Sequence, residues 1–259
     1  MKNNFFQYCI KVLKVLIWPI IFLIGQFIIN YLFASVYSLF HPDLSLVELT
    51  NNTISFMNSH QIIITLANFI ILMTIFLTVY KRLQNDNYKI YKDYIYLFLF
   101  GIGYSIVINI LFLNISNTFN ISIDQFSGLD ATKFVSTIIC SGLLGPIMEE
   151  YLFRGIIYNK LKAFNSEKIS MFLTALIFSL LHGNIFNIIN AFLLNYILIF
   201  VYRKYHTLLA PIILHITVNT TVVFIINIII TQAIYLNYFL FIISFIIIMI
   251  SSVKVFSKE

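Results

Sequence analysis

Long apolar runs dominate this chain and limit what it can fold into. Eight runs of roughly 20 residues alternate with short polar stretches, and about 20 residues are what a helix needs to cross a hydrocarbon core. The runs cover approximately residues 15–37, 61–80, 94–114, 134–159, 169–186, 187–202, 207–230 and 236–252. Only 10% of the residues are charged and the mean hydropathy is +0.94. The chain is therefore predicted to be an all-α polytopic membrane protein with about eight transmembrane helices.

Basic residues fall on one side of this predicted bundle. With eight spans, all of the 16 Lys and Arg residues except Lys133 and Arg154 flank the side that holds both termini. Because Lys and Arg concentrate on the cytoplasmic side of membrane proteins, both termini are predicted to be cytoplasmic. The net charge of +6 then reflects topology and contact with anionic lipid, so no nucleic-acid partner is expected.

The predicted spans differ in what they carry. The largest outer loops, His41 to His60 and Ser116 to Lys133, are interpreted as polar connectors, so residues 1–259 form one membrane domain. Spans one to three and eight hold few ionisable groups and are interpreted as scaffold, their polar side chains being satisfied within or between helices. Spans four, five and seven instead contain ionisable side chains at depths where a charge is costly, namely Glu149, Glu150, Arg154, His182 and His215.

The stretch GPIMEEYLFRG, Gly145 to Gly155, places three of these residues within six positions. A charge near the bilayer centre costs at least ~2.5 kcal/mol, so such residues are expected to face the bundle interior and mark a functional site. Glu150 and Arg154 are four residues apart, which lets them form an ion pair that is interpreted as a structural clasp. Glu149 points about 100° away and lacks such a partner, which makes it the candidate general base.

Two later spans each add a histidine. FSLLHG places His182 four residues after Phe178 on one helical face, and HITVN places His215 and Asn219 four residues apart in the same way. Counting depth along the helices puts Glu149, His182 and Asn219 near the middle of the membrane. These side chains are therefore expected to converge on one hydrated pocket.

This set of side chains supports two hydrolytic schemes. In the first, Glu149, His182 and His215 hold a zinc ion with an open position for water. In the second, no metal takes part: Glu149, assisted by His182, takes a proton from water, while His215 and the Asn219 amide donate to the oxyanion on the attacked carbonyl. Residue types alone do not decide between the two schemes, although asparagine is a poor zinc ligand. The sequence therefore leaves two alternatives: a zinc cofactor, or no cofactor.

The order of the motifs resembles that of a known family. HExxH, GxGD and GxSG signatures of other intramembrane proteases are absent from the sequence. EEYLFR, FSLLH and HITVN follow one another on separate spans and resemble the EExxxR, FxxxH and HxxxN motifs of the CPBP family. That family groups CAAX prenyl proteases with bacteriocin-processing and immunity proteins of the Abi type. The resemblance covers roughly Pro146 to Asn219, inside a predicted catalytic core at residues 134–230.

The resemblance implies a helical intramembrane endopeptidase and a role for each motif position. It implies that Glu149 activates water with His182 as its partner, and that His215 and Asn219 bind the oxyanion. Glu150 and Arg154 match the remaining, supporting positions of the first motif. The sequence shows no departure from the motif pattern, so an active enzyme is expected.

The expected substrate is a membrane-associated peptide or protein, and the expected location is the plasma membrane of a bacterium. A bacterial composition argues against prenylated substrates and favours the maturation or degradation of a leader, a secreted peptide or a small membrane protein. The lipid bilayer is a predicted partner, and a membrane-protein partner is an alternative that stays open. Two other classes stay open: a non-catalytic immunity or scaffold protein of the same fold, and a secondary transporter, which the lack of repeated halves disfavours.

Overall fold

The computed structural model describes residues 2–83, 92–119, 131–229 and 234–257. Within these ranges the chain forms nine helical runs and no strand. They are α1 (Lys2–Leu39), α2 (Leu46–Ser59), α3 (Gln61–Leu83), α4 (Tyr94–Phe119), α5 (residues 131–162), α6 (Glu167–Ser179), α7 (Ile185–Tyr205), α8 (Leu209–Ile229) and α9 (Ile234–Phe256). The prediction of an all-α membrane protein is therefore confirmed.

Helix α5 changes its winding along its length. Its α-helical turns, Ala131–Thr137, Gly145–Glu150 and Asn159–Lys162, alternate with the π-helical turns Ile138–Leu144 and Tyr151–Tyr158. The residues at each junction keep right-handed helical dihedrals, so the run continues through Pro146 without a break. π-Turns inside α-helices are rare and are frequent at functional sites. The first motif lies where these turns meet.

Five helices in the described ranges are long and apolar enough to cross a membrane: α1, α3, α4, α7 and α9. The apolar part of α8, Leu209–Ile225, is shorter. Helix α6 has only 13 residues, about 20 Å at the rise of an α-helix, which falls short of the hydrocarbon thickness. The number of eight spans and the cytoplasmic location of both termini stay predictions.

Two predicted boundaries differ from the structure. The break between the fifth and sixth spans lies at residues 180–184 rather than after residue 186, because Asn184 caps α7 by accepting a hydrogen bond from the backbone of Asn187.

The first predicted outer connector contains α2, which begins with a capping box formed by Ser45 and Glu48. The Ser45 hydroxyl and backbone N–H hold the pKa of Glu48 below its usual range. Residues 120–130 of the second connector lie outside the described residues.

Close helix packing places α5 inside the bundle. Helix α4 packs against α8 and α9, and at Gly103 a Cβ atom would lie 2.8 Å from a backbone oxygen of α9, an approach that only glycine allows. Helix α5 contacts α1, α3, α6 and α8. One apolar cluster joins α1, α3 and α5 around Phe76, Leu152 and Ile156, all with no exposed area. The first motif is thus enclosed on several sides.

Candidate active site

Glu150 is the buried centre of the motif cluster. Its side chain has no exposed area, and its Oε1 lies 2.9 Å from Nη1 of Arg154, so the predicted ion pair is present. The same oxygen accepts a 2.7 Å hydrogen bond from Nδ1 of His215 on α8. A buried carboxylate needs such partners to keep its charge. Glu150 therefore joins the first motif to the third.

Arg154 extends this network to two other helices. Its guanidinium lies 5.6 Å from the ring centroid of Phe178 on α6, a cation–π contact. Its Nη2 donates a 3.4 Å hydrogen bond to the backbone carbonyl of Asn195 on α7. The side chain is fully buried. Arg154 thus links α5 to α6 and α7, and its positive charge balances the negative charge of Glu150.

Glu149 has a different environment from its neighbour. About a quarter of its side chain, 23%, is exposed, and its Oε2 lies 3.7 Å from Nε2 of His215. It lines a cavity of about 190 Å³ between α1, α5 and α6, together with Gln26, Phe153 and His182. Of the two adjacent glutamates, only Glu149 reaches open space. The structure thus brings it next to both motif histidines.

The two histidines are oriented through their Nδ1 atoms. Nδ1 of His182 is 2.9 Å from the carbonyl oxygen of Phe178, and a carbonyl can only accept, so this nitrogen carries the hydrogen. Nδ1 of His215 donates to Glu150. In each ring Nε2 is the atom left for chemistry, and in His215 it faces Glu149. Hydrogen bonding at one ring nitrogen commonly sets the tautomer in this way.

Asn219 does not line the cavity that holds Glu149 and His182. Its Nδ2 donates a 3.0 Å hydrogen bond to the backbone carbonyl of Ser141 in the first π-turn. In a helix that carbonyl would accept from Gly145 or Pro146, but the Gly145 N–H bonds to Cys140 and proline has no N–H. The Asn219 amide thus replaces a missing backbone donor, and its second N–H remains for a ligand.

The zinc set predicted from the sequence, Glu149, His182 and His215, is not assembled as a metal site. In the part of the chain that the structure describes, no group of three or more His, Cys, Asp and Glu side chains is arranged to hold a metal ion. Both motif histidines use Nδ1 for protein hydrogen bonds, which leaves Nε2 of each ring available, the orientation that metal-ligating histidines also adopt. The zinc alternative therefore stays a prediction.

Sequence reasoning missed the contribution of α1 to the site. Phe22 and Gln26 line the same cavity as Glu149, although the first span had been interpreted as scaffold. A polar residue at mid-span of an apolar helix is the signal that could have indicated Gln26. The link between His215 and Glu150 was also missed, since 65 residues separate them in the chain.

Comparison with known proteins agrees with the motif pattern. A family model described as Type II CAAX prenyl endopeptidase Rce1-like matches residues 131–221. This range contains all three motifs, and the resemblance to the CPBP family is confirmed. No curated protein and no solved structure matches the chain.

Proposed function

We propose that this chain, a CPBP-family protein by its Rce1-like segment at residues 131–221, is a metal-independent intramembrane endopeptidase. Its substrate is a membrane-associated peptide or small protein, such as a leader or a bacteriocin-type peptide. The protein acts in the plasma membrane of a bacterium. The observation that carries the proposal is the position of Glu149, in one cavity with His182 and 3.7 Å from Nε2 of His215.

Glu149 is the residue that activates water. The cavity, with a volume of about 190 Å³, is large enough to hold water. The Glu149 carboxylate takes a proton from one water while His182 Nε2 orients it, and the oxygen attacks the carbonyl carbon of the substrate. When the C–N bond breaks, Glu149 returns the proton to the leaving amine. Atoms and charge balance without a metal ion and without a covalent bond between the enzyme and the substrate.

Charge on the attacked carbonyl is stabilised by α8. Protonated His215 donates from Nε2 while Nδ1 stays bound to Glu150, and the second N–H of the Asn219 amide is the other donor. Donors fixed in advance stabilise a developing oxyanion at no reorganisation cost. Glu150 and Arg154 act as positioning residues, since they hold His215 and contact no reacting atom.

The direct test compares variants of the full chain in proteoliposomes. Glu149→Gln and His182→Ala are expected to lower cleavage of membrane-associated peptides by about 10²-fold to 10⁴-fold, the range for a lost general base. New peptide termini are counted by mass spectrometry, and thermal unfolding checks that each variant is folded. Glu48→Gln, on the outer helix α2, is the matched control and should cleave normally.

Wild-type cleavage by Glu149→Gln would show that Glu149 is not the base. A binding-only immunity or scaffold protein predicts a different outcome. If the protein protects cells from a bacteriocin only by binding, that protection would persist after each of Glu149, His182, His215 and Asn219 is substituted.

A further inference from the structure

A second cavity lies between α1 and α3, beside the cavity that holds Glu149. It has a volume of about 260 Å³, and we call it the α1–α3 cavity. Gln26 lines both cavities, and Met148, which directly precedes Glu149, lies on the wall of the second one. The two cavities therefore adjoin at Gln26.

The α1–α3 cavity leads from one end of the membrane-spanning helix α3 toward Glu149. Met57 and Gln61, on its wall, lie at the turn between α2 and α3. Sγ of Cys140 lies 3.8 Å from the Gln61 carbonyl, so Cys140 of α5 is level with the start of α3. Glu149 is nine residues further along α5, about 13 Å deeper at 1.5 Å per residue. The cavity therefore occupies the depth between that turn and the proposed base.

Polar side chains on the walls of the α1–α3 cavity have hydrogen-bonding groups that the protein leaves unused. Within the described ranges, the side chains of Gln26, Gln61 and Thr65 make no hydrogen bond, and all three are half-buried. Asn30 is exposed, and its Oδ1 accepts from Asn68 while its own Nδ2 remains to donate. An amide or hydroxyl group in apolar surroundings is costly without a partner. Water supplies both donors and acceptors, and a polar cavity of this size holds it.

The Glu149 cavity is apolar except where it adjoins the α1–α3 cavity. Among the described residues, Gln26 is its one polar side chain besides Glu149 and His182. Apolar cavities stay dry, whereas polar walls hold water. Each peptide bond that is hydrolysed consumes one water molecule, so the supply must come along a polar wall. The Gln26 side is the one that offers such a wall, since the remaining lining residues are Phe22, Leu23, Phe153, Phe178 and Leu181.

We propose that the α1–α3 cavity is the path by which water reaches Glu149 from the side of the membrane where α2 lies. Gln26 is the residue at which water passes from this path into the Glu149 cavity. The inference rests on the proposed peptidase function. It gives α1 and α3, which carry no motif residue, a part in the reaction, because their amide and hydroxyl groups hold the water that the base consumes.

Cysteine labelling of full-length protein in proteoliposomes tests this path without relying on cleavage. Cys9 and Cys140 are first changed to serine, and Thr65→Cys then places one thiol on the wall of the α1–α3 cavity. A membrane-impermeant methanethiosulfonate should modify it at least about ten-fold faster than Leu66→Cys, because the reactive thiolate is suppressed in apolar surroundings. Leu66 is the matched control, since it is the next residue of α3 and is exposed outside both cavities.

Cleavage after labelling tests whether the water in this cavity supplies Glu149. The label on Thr65→Cys should lower kcat by about ten-fold or more and leave KM unchanged, since it acts on the chemical step and not on substrate binding. A cationic and an anionic label should have the same effect, because both block the path. Thr118→Cys, the same change at the exposed end of α4, should be labelled and still cleave normally. Each variant is its own reference, as cleavage is measured before and after labelling.

Two results overturn the water path and leave the peptidase function standing. Equally slow labelling of Thr65→Cys and Leu66→Cys would mean that lipid or packed side chains fill the cavity. Fast labelling of Thr65→Cys with full cleavage, or with opposite effects of the two labels, would mean that the cavity is wet but does not supply Glu149. No cleavage by unlabelled protein, wild type included, removes the peptidase function and the water path together.

Discussion

The hydrogen bond between Asn219 and the Ser141 carbonyl makes a sharp prediction about Pro146. The bond exists because Gly145 donates elsewhere and proline has no N–H to offer. Replacing Asn219 with alanine leaves this carbonyl without a donor. Replacing Pro146 with alanine restores a backbone N–H in the register that the π-turn uses. The loss of stability in Asn219→Ala should therefore be recovered, at least in part, when Pro146→Ala is added.

The expected magnitude follows from hydrogen bonds between membrane helices. These contribute about 0.6 kcal/mol on average and up to about 1.7 kcal/mol in double-mutant cycles. We expect a coupling energy in this range between Asn219→Ala and Pro146→Ala, measured by reversible unfolding in detergent. Asn109→Ala is the control, because its amide also donates to a helix carbonyl, that of Ser105, but has no proline to replace. Its effect should add to that of Pro146→Ala.

The same variants separate stability from catalysis. If the second N–H of Asn219 binds the oxyanion, Asn219→Ala lowers kcat by about 10²-fold to 10³-fold. Pro146→Ala cannot restore that donor, so stability recovers while kcat stays low. Strict additivity of the two stability effects would refute our account of the Ser141 carbonyl. Recovery of kcat together with stability would limit Asn219 to a positioning role.

Three further outcomes follow from the contacts. Arg154→Met should lower the free energy of unfolding by about 3 to 5 kcal/mol, because it leaves Glu150 charged and buried, and adding Glu150→Gln should recover part of this loss in the same unfolding assay. Dialysis against 1,10-phenanthroline or EDTA should leave cleavage unchanged, whereas a zinc enzyme would lose activity and regain it with added zinc. Lys204→Met should destabilise the end of α9 by about 1 kcal/mol, seen as faster amide exchange there, since Lys204 Nζ donates to the carbonyls of Lys254, Val255 and Ser257.

The parts of the site that local spacing determines were predictable. Glu150 and Arg154 are four residues apart on a helix, and the structure places their charged atoms 2.9 Å apart. A three-motif pattern also predicted that α5, α6 and α8 would contribute to one site, and Glu149 does lie next to His215 and share a cavity with His182. These contacts were predictable because the two partners lie on one helix, or because the three motifs follow the order seen in a known family.

The parts that depend on non-local contacts were not predictable. An ideal α-helix places Glu149 and Glu150 about 100° apart, yet His215 contacts both of them from a neighbouring helix. The two π-turns lie on either side of Gly145–Glu150, and apolar periodicity does not reveal them. The polar residues of α1 and α3 were assigned to scaffold because each is isolated in sequence. Only the antiparallel packing of the two helices collects them around one cavity.

The two adjacent glutamates carry out different tasks because their partners differ. Glu150 is fully buried and its Oε1 bonds to both Arg154 and His215, so its charge is already balanced. The bond to Glu150 also orients the His215 ring so that its Nε2 faces Glu149. Glu149 can then accept a proton from water because Glu150, and not Glu149, supplies the bond that fixes the imidazole.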